Sequence, residues 1–159
     1  YIHRVSRAAL SRVRRLAGTT LVGLATVVTM AACSSGSAPA PPTPEGSLVA
    51  GTAQITVNDD DLGEFHAVKC TPAGEYLTIS TGTDQQGSTV VVSNADGLVA
   101  KSVTIHDLGN FTGSFNEGLG GKAEVSLNGA TYTISGTAEG FNTDKPSFRS
   151  SGTFTIKAA

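Results

Sequence analysis

The segment Ala123–Ala138 strongly limits how this chain can fold. Ala123, Val125 and Leu127 alternate with polar residues, the dipeptide Asn128-Gly129 follows, and the alternation then resumes. A period of two places the apolar side chains of a strand on one face. Asn-Gly favours a two-residue turn with positive φ at both central positions. The segment therefore predicts an antiparallel hairpin with one apolar and one polar face.

Similar patterns recur between residues 48 and 159. No stretch there has a clean helical stripe, and β-branched runs are separated by turn signals roughly every ten residues. The predicted strands are AQITVND, EFHAVKC, EYLTIST, STVVVSN, LVAKSVTIH, NFTGSFN, KAEVSLN, ATYTISGTA and GTFTIKA. This region has no tryptophan and few aromatic residues, which indicates a modest core. We expect an all-β domain, with at most one short helix, whose antiparallel sheet forms a half-barrel or a thin sandwich.

Charged residues are distributed unevenly along the chain. Five arginines precede Leu21, and all 13 acidic residues lie at Glu45 or later. After Cys33 there are six basic residues against 13 acidic ones, a formal net charge of −7. Nucleic-acid binding requires clustered Lys and Arg side chains that neutralise phosphates. We therefore predict no nucleic-acid partner and no electrostatic adhesion to anionic lipid.

Residues 1–32 have the organisation of an export signal. A basic segment precedes the run LVGLATVVTMAA, which is shorter than the about 20 apolar residues of a membrane-spanning helix. The sequence Met30-Ala31-Ala32-Cys33 resembles a bacterial lipobox, although leucine is usual at the position of Met30. The resemblance implies that a signal peptidase recognises Met30, Ala31 and Ala32 and cleaves before Cys33.

The lipobox also implies that Cys33 anchors the mature protein to a membrane. Its thiol would carry a diacylglyceryl group and its freed amine an N-acyl group, and no other cofactor is predicted. Two or more acyl chains hold a protein stably on a bilayer. The alternatives are an uncleaved signal anchor, or an ordinary secretory signal in which Cys33 is incidental.

A Pro/Ser-rich segment separates Cys33 from the predicted strands. Residues 34–47, SSGSAPAPPTPEGS, contain four of the six prolines and no large apolar residue, so they predict a disordered or polyproline-like tether. The sequence thus divides into a signal peptide (1–32), a lipidated cysteine with its tether (33–47) and a β-rich domain (48–159).

Two other groups of residues were candidates for chemistry. Cys70 follows His66 on a predicted strand, but about 13 Å of extended chain separates them, too far for a Cys–His pair. Cys70 is therefore interpreted as a small core residue. Asn58–Glu64, NDDDLGE, holds four carboxylates without the spacing of a calcium loop, which favours a solvated acidic turn. We predict no catalytic residue and no metal ligand.

Several segments resemble the mycobacterial lipoprotein antigens of the LpqH type. They are VKCTPAGEYLTISTG (68–82), KSVTI (101–105), NGATYTISGTAEGF (128–141) and SGTFTIK (151–157). The resemblance implies a non-enzymatic lipoprotein, anchored in the cell membrane and exposed at the surface of the cell envelope. It also implies recognition by host receptors through the acyl groups, and a role in binding or adhesion.

The resemblance also bears on Cys70. In this family a cysteine like Cys70 pairs with one near the C-terminus, whereas this chain ends FTIKAA. Either the C-terminus is truncated or Cys70 is a buried, unpaired thiol.

The alternative function is an envelope carrier of lipid or glycolipid ligands. A carrier should contain an apolar cavity of several hundred Å³, whereas a filled core favours binding or adhesion.

Overall fold

The computed structural model describes residues 44–159, and its regular elements there are all β-strands. The predicted signal peptide, the lipobox residues and most of the predicted tether lie outside the described residues. No helix in the described part has the length and hydropathy needed to cross a membrane. The strands are β1 (Ala53–Val57), β2 (Asp60–Phe65), β3 (Val68–Ala73), β4 (Tyr76–Gly82), β5 (Gly87–Ser93), β6 (Val99–Leu108), β7 (Phe111–Asn116), β8 (Lys122–Asn128), β9 (Thr131–Asn142) and β10 (Arg149–Ala158).

The strands form one antiparallel sheet. Their order is β2-β1-β10-β9-β7-β6-β5-β4-β3, and β8 pairs with β9 off this path. The first part of β9 pairs with β8 and its last part with β7, so one long strand joins two sections of the sheet. The sheet is nearly closed into a barrel, which confirms the predicted all-β class and the half-barrel.

The two ends of the sheet lie close together, because the strands at those ends, β2 and β3, are consecutive in the chain. β2 pairs with β1, β3 pairs with β4, and only His66 and Ala67 lie between β2 and β3. Three Cα steps span at most about 11 Å, so the two edges of the sheet meet at this link. The curl also brings the β6–β7 turn against β1, where a Cβ on Gly109 would lie 3.3 Å from the Cβ of Val57.

The apolar face of the curled sheet forms the core. In β10 the residues Gly152, Phe154, Ile156 and Ala158 are buried, while those between them are exposed or half-buried. This alternation is expected of a strand with one wet face. The largest fully buried side chains are Phe111, Ile55, Ile79, Ile105, Ile134 and Ile156.

The ring of Phe111 determines the residue type at one position in its own strand, β7, and at one position in β10. A Cβ on Gly113 would lie 2.6 Å from Cζ of this ring, and a Cβ on Gly152 would lie 2.7 Å from the same atom. Optimal carbon–carbon contact is at about 3.5–4.0 Å, so a methyl group would clash at either position. Glycine in β7 and β10 therefore makes room for the central aromatic ring.

The hairpin at Ala123–Ala138 is confirmed, but the predicted turn type is wrong. Asn128 pairs with Thr131, so the two turn residues are Gly129 and Ala130. Of the turn residues only Gly129 has positive φ, at 61°. A turn with glycine at its first central position and a single positive φ has the pattern of type II′, not of type I′.

Other boundaries also differ from the predictions. The predicted strand EFHAVKC is interrupted at His66, because the chain crosses there from one edge of the sheet to the other. The acidic segment NDDDLGE is a turn only at Asn58 and Asp59, both with positive φ, and β2 begins at Asp60. β9 extends beyond the predicted strand ATYTISGTA to Asn142, and β10 begins before the predicted GTFTIKA, at Arg149, which leaves residues 143–148 as the loop between them.

The chain enters the domain along the β8–β9 turn. The hydroxyl of Ser47 donates to the carbonyl oxygen of Asn128 at 3.2 Å, and the Leu48 N–H donates to Oγ1 of Thr131 at 2.8 Å. The last residues of the predicted tether therefore pack on the start of β9.

The contact between Phe111 and Gly152 can be tested by substitution. Gly152→Ala should lower the free energy of unfolding by about 1–3 kcal/mol, because the new methyl group overpacks the core. The neighbouring Ser151→Ala, at an exposed position, should change it by less than about 0.5 kcal/mol. Urea denaturation of each variant measures both effects.

A double variant separates the steric cause from other causes. Phe111→Leu leaves room for the methyl group of Gly152→Ala, so the combined loss should be smaller than the sum of the single losses. Additive losses would contradict the steric explanation.

Candidate functional site

The predicted sites of processing lie outside the described residues. Cys33 and the recognition residues Met30, Ala31 and Ala32 precede residue 44, so their roles stay predictions. The described part of the chain contains Cys70, His66 and the acidic segment, and it also contains surface hollows that the sequence did not predict.

Cys70 is exposed on β3, the strand at one end of the sheet order, and it has no disulfide partner among residues 44–159. The interpretation of Cys70 as a buried core residue is therefore wrong. The physical reason is that β3 pairs on one side only and five of its six residues are exposed. Pro72 in the same strand lacks an N–H donor, as is typical of an edge strand.

Of the other candidates from the sequence, His66 and Glu64 meet, in one exposed pair. Nε2 of His66 lies 3.5 Å from Oε1 of Glu64, and its side chain is 77% exposed. The acidic residues are spread along the β1–β2 turn and β2, where Oδ1 of Asp61 accepts the Gly63 N–H at 2.9 Å. Residues 44–159 contain no group of three or more His, Cys, Asp or Glu side chains placed to hold a metal ion.

A hollow of about 450 Å³ lies on the outer face of β6, β7, β9 and β10, beside the β9–β10 loop. We call it the outer hollow. The side chains that line it are Thr104, His106, Thr112, Ser114, Glu139, Phe141, Pro146, Phe148 and Arg149. A second hollow of about 220 Å³ shares Thr104 and His106 with it and continues toward the β4–β5 turn.

The strand register explains which side chains meet in the outer hollow. Phe141 on β9 pairs with Thr112 on β7 and with Arg149 on β10. Two residues back along β9, Glu139 pairs with Ser114. Side chains two residues apart share a face, and adjacent strands lie about 4.8 Å apart. An aromatic ring, an arginine, a carboxylate and hydroxyls therefore occupy one small area.

The charged groups of the outer hollow are available to a ligand. Neither Glu139 nor Arg149 has an ion-pair partner within 4.0 Å among residues 44–159. In contrast, Lys101 Nζ lies 2.7 Å from Glu117 Oε2, and this hydrogen bond raises the pKa of Lys101. The ion pair of β6 is thus satisfied within the protein, whereas the charges of the outer hollow are not.

The meeting of the two sheet edges forms another open hollow, of about 530 Å³, which we call the seam hollow. Leu62, Phe65, Ala67 and Leu108 supply its apolar lining. Its polar lining includes Glu64, His66, Gln86 and Asp107.

The sequence carried a weak signal for the outer hollow. Phe141 and Phe148 flank the polar stretch NTDKPS, and Arg149 follows directly. Two aromatic residues beside a polar loop can be core residues or surface residues. Only the strand register shows that Phe141 lies on the outer face, with Phe148 72% exposed beside it.

The geometry defines a small all-β domain whose apolar interior is filled and whose hollows open at its surface. The chain belongs to the Mycobacterium 19 kDa lipoprotein antigen family, which matches residues 46–159. This confirms the resemblance seen in the sequence. Family membership makes the protein a membrane-anchored component of the cell envelope.

Individual relatives carry lipoprotein names. A protein of Mycobacterium avium subsp. hominissuis (strain TH135), named "Putative lipoprotein", is 40% identical over 139 residues, which cover 87% of this chain and 90% of the relative. "Lipoprotein LpqH" of Mycobacterium avium is 32% identical over 61% of this chain and 60% of its own length. "Probable lipoprotein LppE" of Mycobacterium tuberculosis (strain ATCC 25618 / H37Rv) is 32% identical over 56% of this chain and 64% of its own length.

The exposure of Cys70 predicts its reactivity. A thiol reagent such as Ellman's reagent should react with Cys70 in the folded protein as completely as in the denatured protein, because no side chain covers it. A Cys70→Ser variant should lose this reaction. Reaction only after denaturation would contradict the exposed position of the thiol.

Proposed function

We propose that this chain is a non-enzymatic lipoprotein, held by acyl groups on Cys33 at the extracytoplasmic face of the cell membrane, that presents its β domain for binding or adhesion. Membership of a lipoprotein antigen family supports the anchor. The order of basic segment, short apolar segment and Met30-Ala31-Ala32-Cys33 supports its position. The same membership supports recognition by a host receptor through the acyl groups.

The path of the chain into the domain is the main support for outward presentation. The chain arrives at the β8–β9 turn, where Leu48 bonds to Thr131 at the start of β9. The outer hollow lies around Phe141, ten residues further along the same strand. At about 3.3 Å per residue this is roughly 30 Å. The entry of the chain at Leu48 and the outer hollow therefore lie at opposite ends of β9, which supports an anchor that leaves the hollow uncovered.

A second candidate function is a carrier of lipid or glycolipid ligands. The seam hollow supports it, since its volume of about 530 Å³ and its apolar lining suit part of an acyl chain. The core itself gives no such support, because Phe111 and five isoleucines fill the interior of the curled sheet. Binding or adhesion at the outer face is therefore the better supported function.

The anchor is tested by a matched pair of cysteine variants of the full chain, expressed in a mycobacterial host. Cys33→Ser should abolish retention in the membrane fraction and remove the mass of the acyl groups. Cys70→Ser should retain both, because an exposed thiol on β3 takes no part in anchoring. Membrane fractionation and intact mass spectrometry measure the two outcomes. A wild-type protein with an unmodified Cys33 would contradict the proposal.

Native mass spectrometry after mild extraction distinguishes the two functions. Binding or adhesion predicts only the covalent acyl mass on the protein. Additional lipid held without a covalent bond would favour the carrier.

A further inference from the structure

The outer hollow combines apolar and polar side chains in a way that suits one class of small ligand. Phe148 is 72% exposed, although its ring is a large apolar surface. It is not an isolated apolar residue, because Phe141 and Pro146 line the same hollow. Beside these rings lie Glu139 and Arg149, which have no ion-pair partner among residues 44–159. A ligand for this site has both apolar faces and many hydrogen-bonding groups.

We propose that the outer hollow is a saccharide-binding site. The C–H groups on one face of a sugar ring carry partial positive charge, and they pack on the negative face of an aromatic ring such as Phe148 or Phe141. Sugar hydroxyls donate to the carboxylate of Glu139 and accept from the guanidinium of Arg149 in charge-assisted hydrogen bonds.

The hydroxyl groups of the sheet extend this surface. The hydroxyls of Thr104 and Ser114 lie on paired positions of β6 and β7, next to Glu139. The four strands from β6 to β10 cover about 14 Å at the ordinary strand spacing, which is wide enough for an oligosaccharide. The adjoining hollow, lined by Ser80 and Thr89, lengthens the polar surface in the direction of β4.

The pairing of the strands argues against a peptide as the occupant. An extended peptide binds a sheet by hydrogen-bonding to a free strand edge. At the outer hollow, β7 lies between β6 and β9, and β9 lies between β7 and β10. β10 pairs with β1 on its other edge only from Phe154 to Ala158, so residues 149–152 leave a short free edge beside the hollow. β6, β7 and β9, which form most of the hollow, have no free edge there, so recognition on these strands depends on their side chains.

Charge and shape argue against polyanions and acyl chains. The outer hollow carries one arginine and one glutamate, and the region after Cys33 has a formal net charge of −7, so a phosphate-rich ligand would be repelled. The exposed lining is largely apolar, but an acyl chain that filled the hollow would leave the hydroxyls and charged groups beside the rings without partners. A neutral, hydroxyl-rich ligand can form hydrogen bonds with both the charged groups and the hydroxyls of the lining.

The test uses the full chain, extracted in a detergent without a sugar headgroup and applied to printed oligosaccharides of glucose, mannose, galactose and arabinose. Phe148→Ala and Arg149→Ala should each weaken retention at least about tenfold, the loss expected when one stacking ring or one charge-assisted bond is removed. Leu119→Ala, which also removes an exposed apolar side chain, and Lys122→Ala are the matched controls and should bind as the wild type does.

Three outcomes would overturn the proposal. They are no retention of the wild-type protein on any oligosaccharide, equal retention of the Phe148 and Arg149 variants, and retention of lipid-linked sugars that free oligosaccharide does not compete away. The inference depends on the proposed function in one respect only, which is that the anchored domain presents the hollow away from the membrane. Cys33→Ser should therefore bind sugar as the wild type does, so failure of the anchor and failure of the site can be told apart.

Discussion

A sheet with one apolar face and no helix to cover it must cover that face itself. The regular elements of residues 44–159 are all strands, so the sheet buries its apolar side chains by curling until β2 and β3 meet at His66 and Ala67. Phe111 lies in the interior against Gly113 of its own strand and Gly152 of β10. Burial of apolar area is the dominant favourable contribution to folding, so this closure holds the domain together.

The same closure determines where a ligand can bind. Side chains of the sheet itself fill the interior, so little internal space remains for a large guest. The polar outer face is free, and it gathers the aromatic and charged residues of the outer hollow at the end of β9. The chain enters the domain at the other end of β9. The entry of the chain and the outer hollow are thus separated by most of the length of one strand.

Much of the fold could be predicted from the sequence, because alternation with a period of two is a local property. The hairpin of β8 and β9 and the all-β class follow from it directly. The break at His66 could not be predicted, since it depends on the chain changing from one edge of the sheet to the other. The exposure of Cys70 could not be predicted either, since a free cysteine is usually buried and β3 has a partner on one side only.

The outer hollow depends on contacts that are distant in the sequence. Thr112, Phe141 and Arg149 meet only because β7 and β10 pair with the same end of β9. No local pattern specifies that register. The proposed role of Cys33, in contrast, could be predicted from the sequence, because the lipobox is a contiguous motif that does not depend on the fold.

The closure of the sheet is tested most directly by nuclear Overhauser effects at Gly109. Its α protons lie in the β6–β7 turn, and the structure places this turn against the side chains of Val57 and Leu62. The account predicts cross-peaks from Gly109 to the methyl groups of both residues. Cross-peaks confined to the β6–β7 hairpin, together with rapid amide exchange in β1, would show an open sheet and contradict the account.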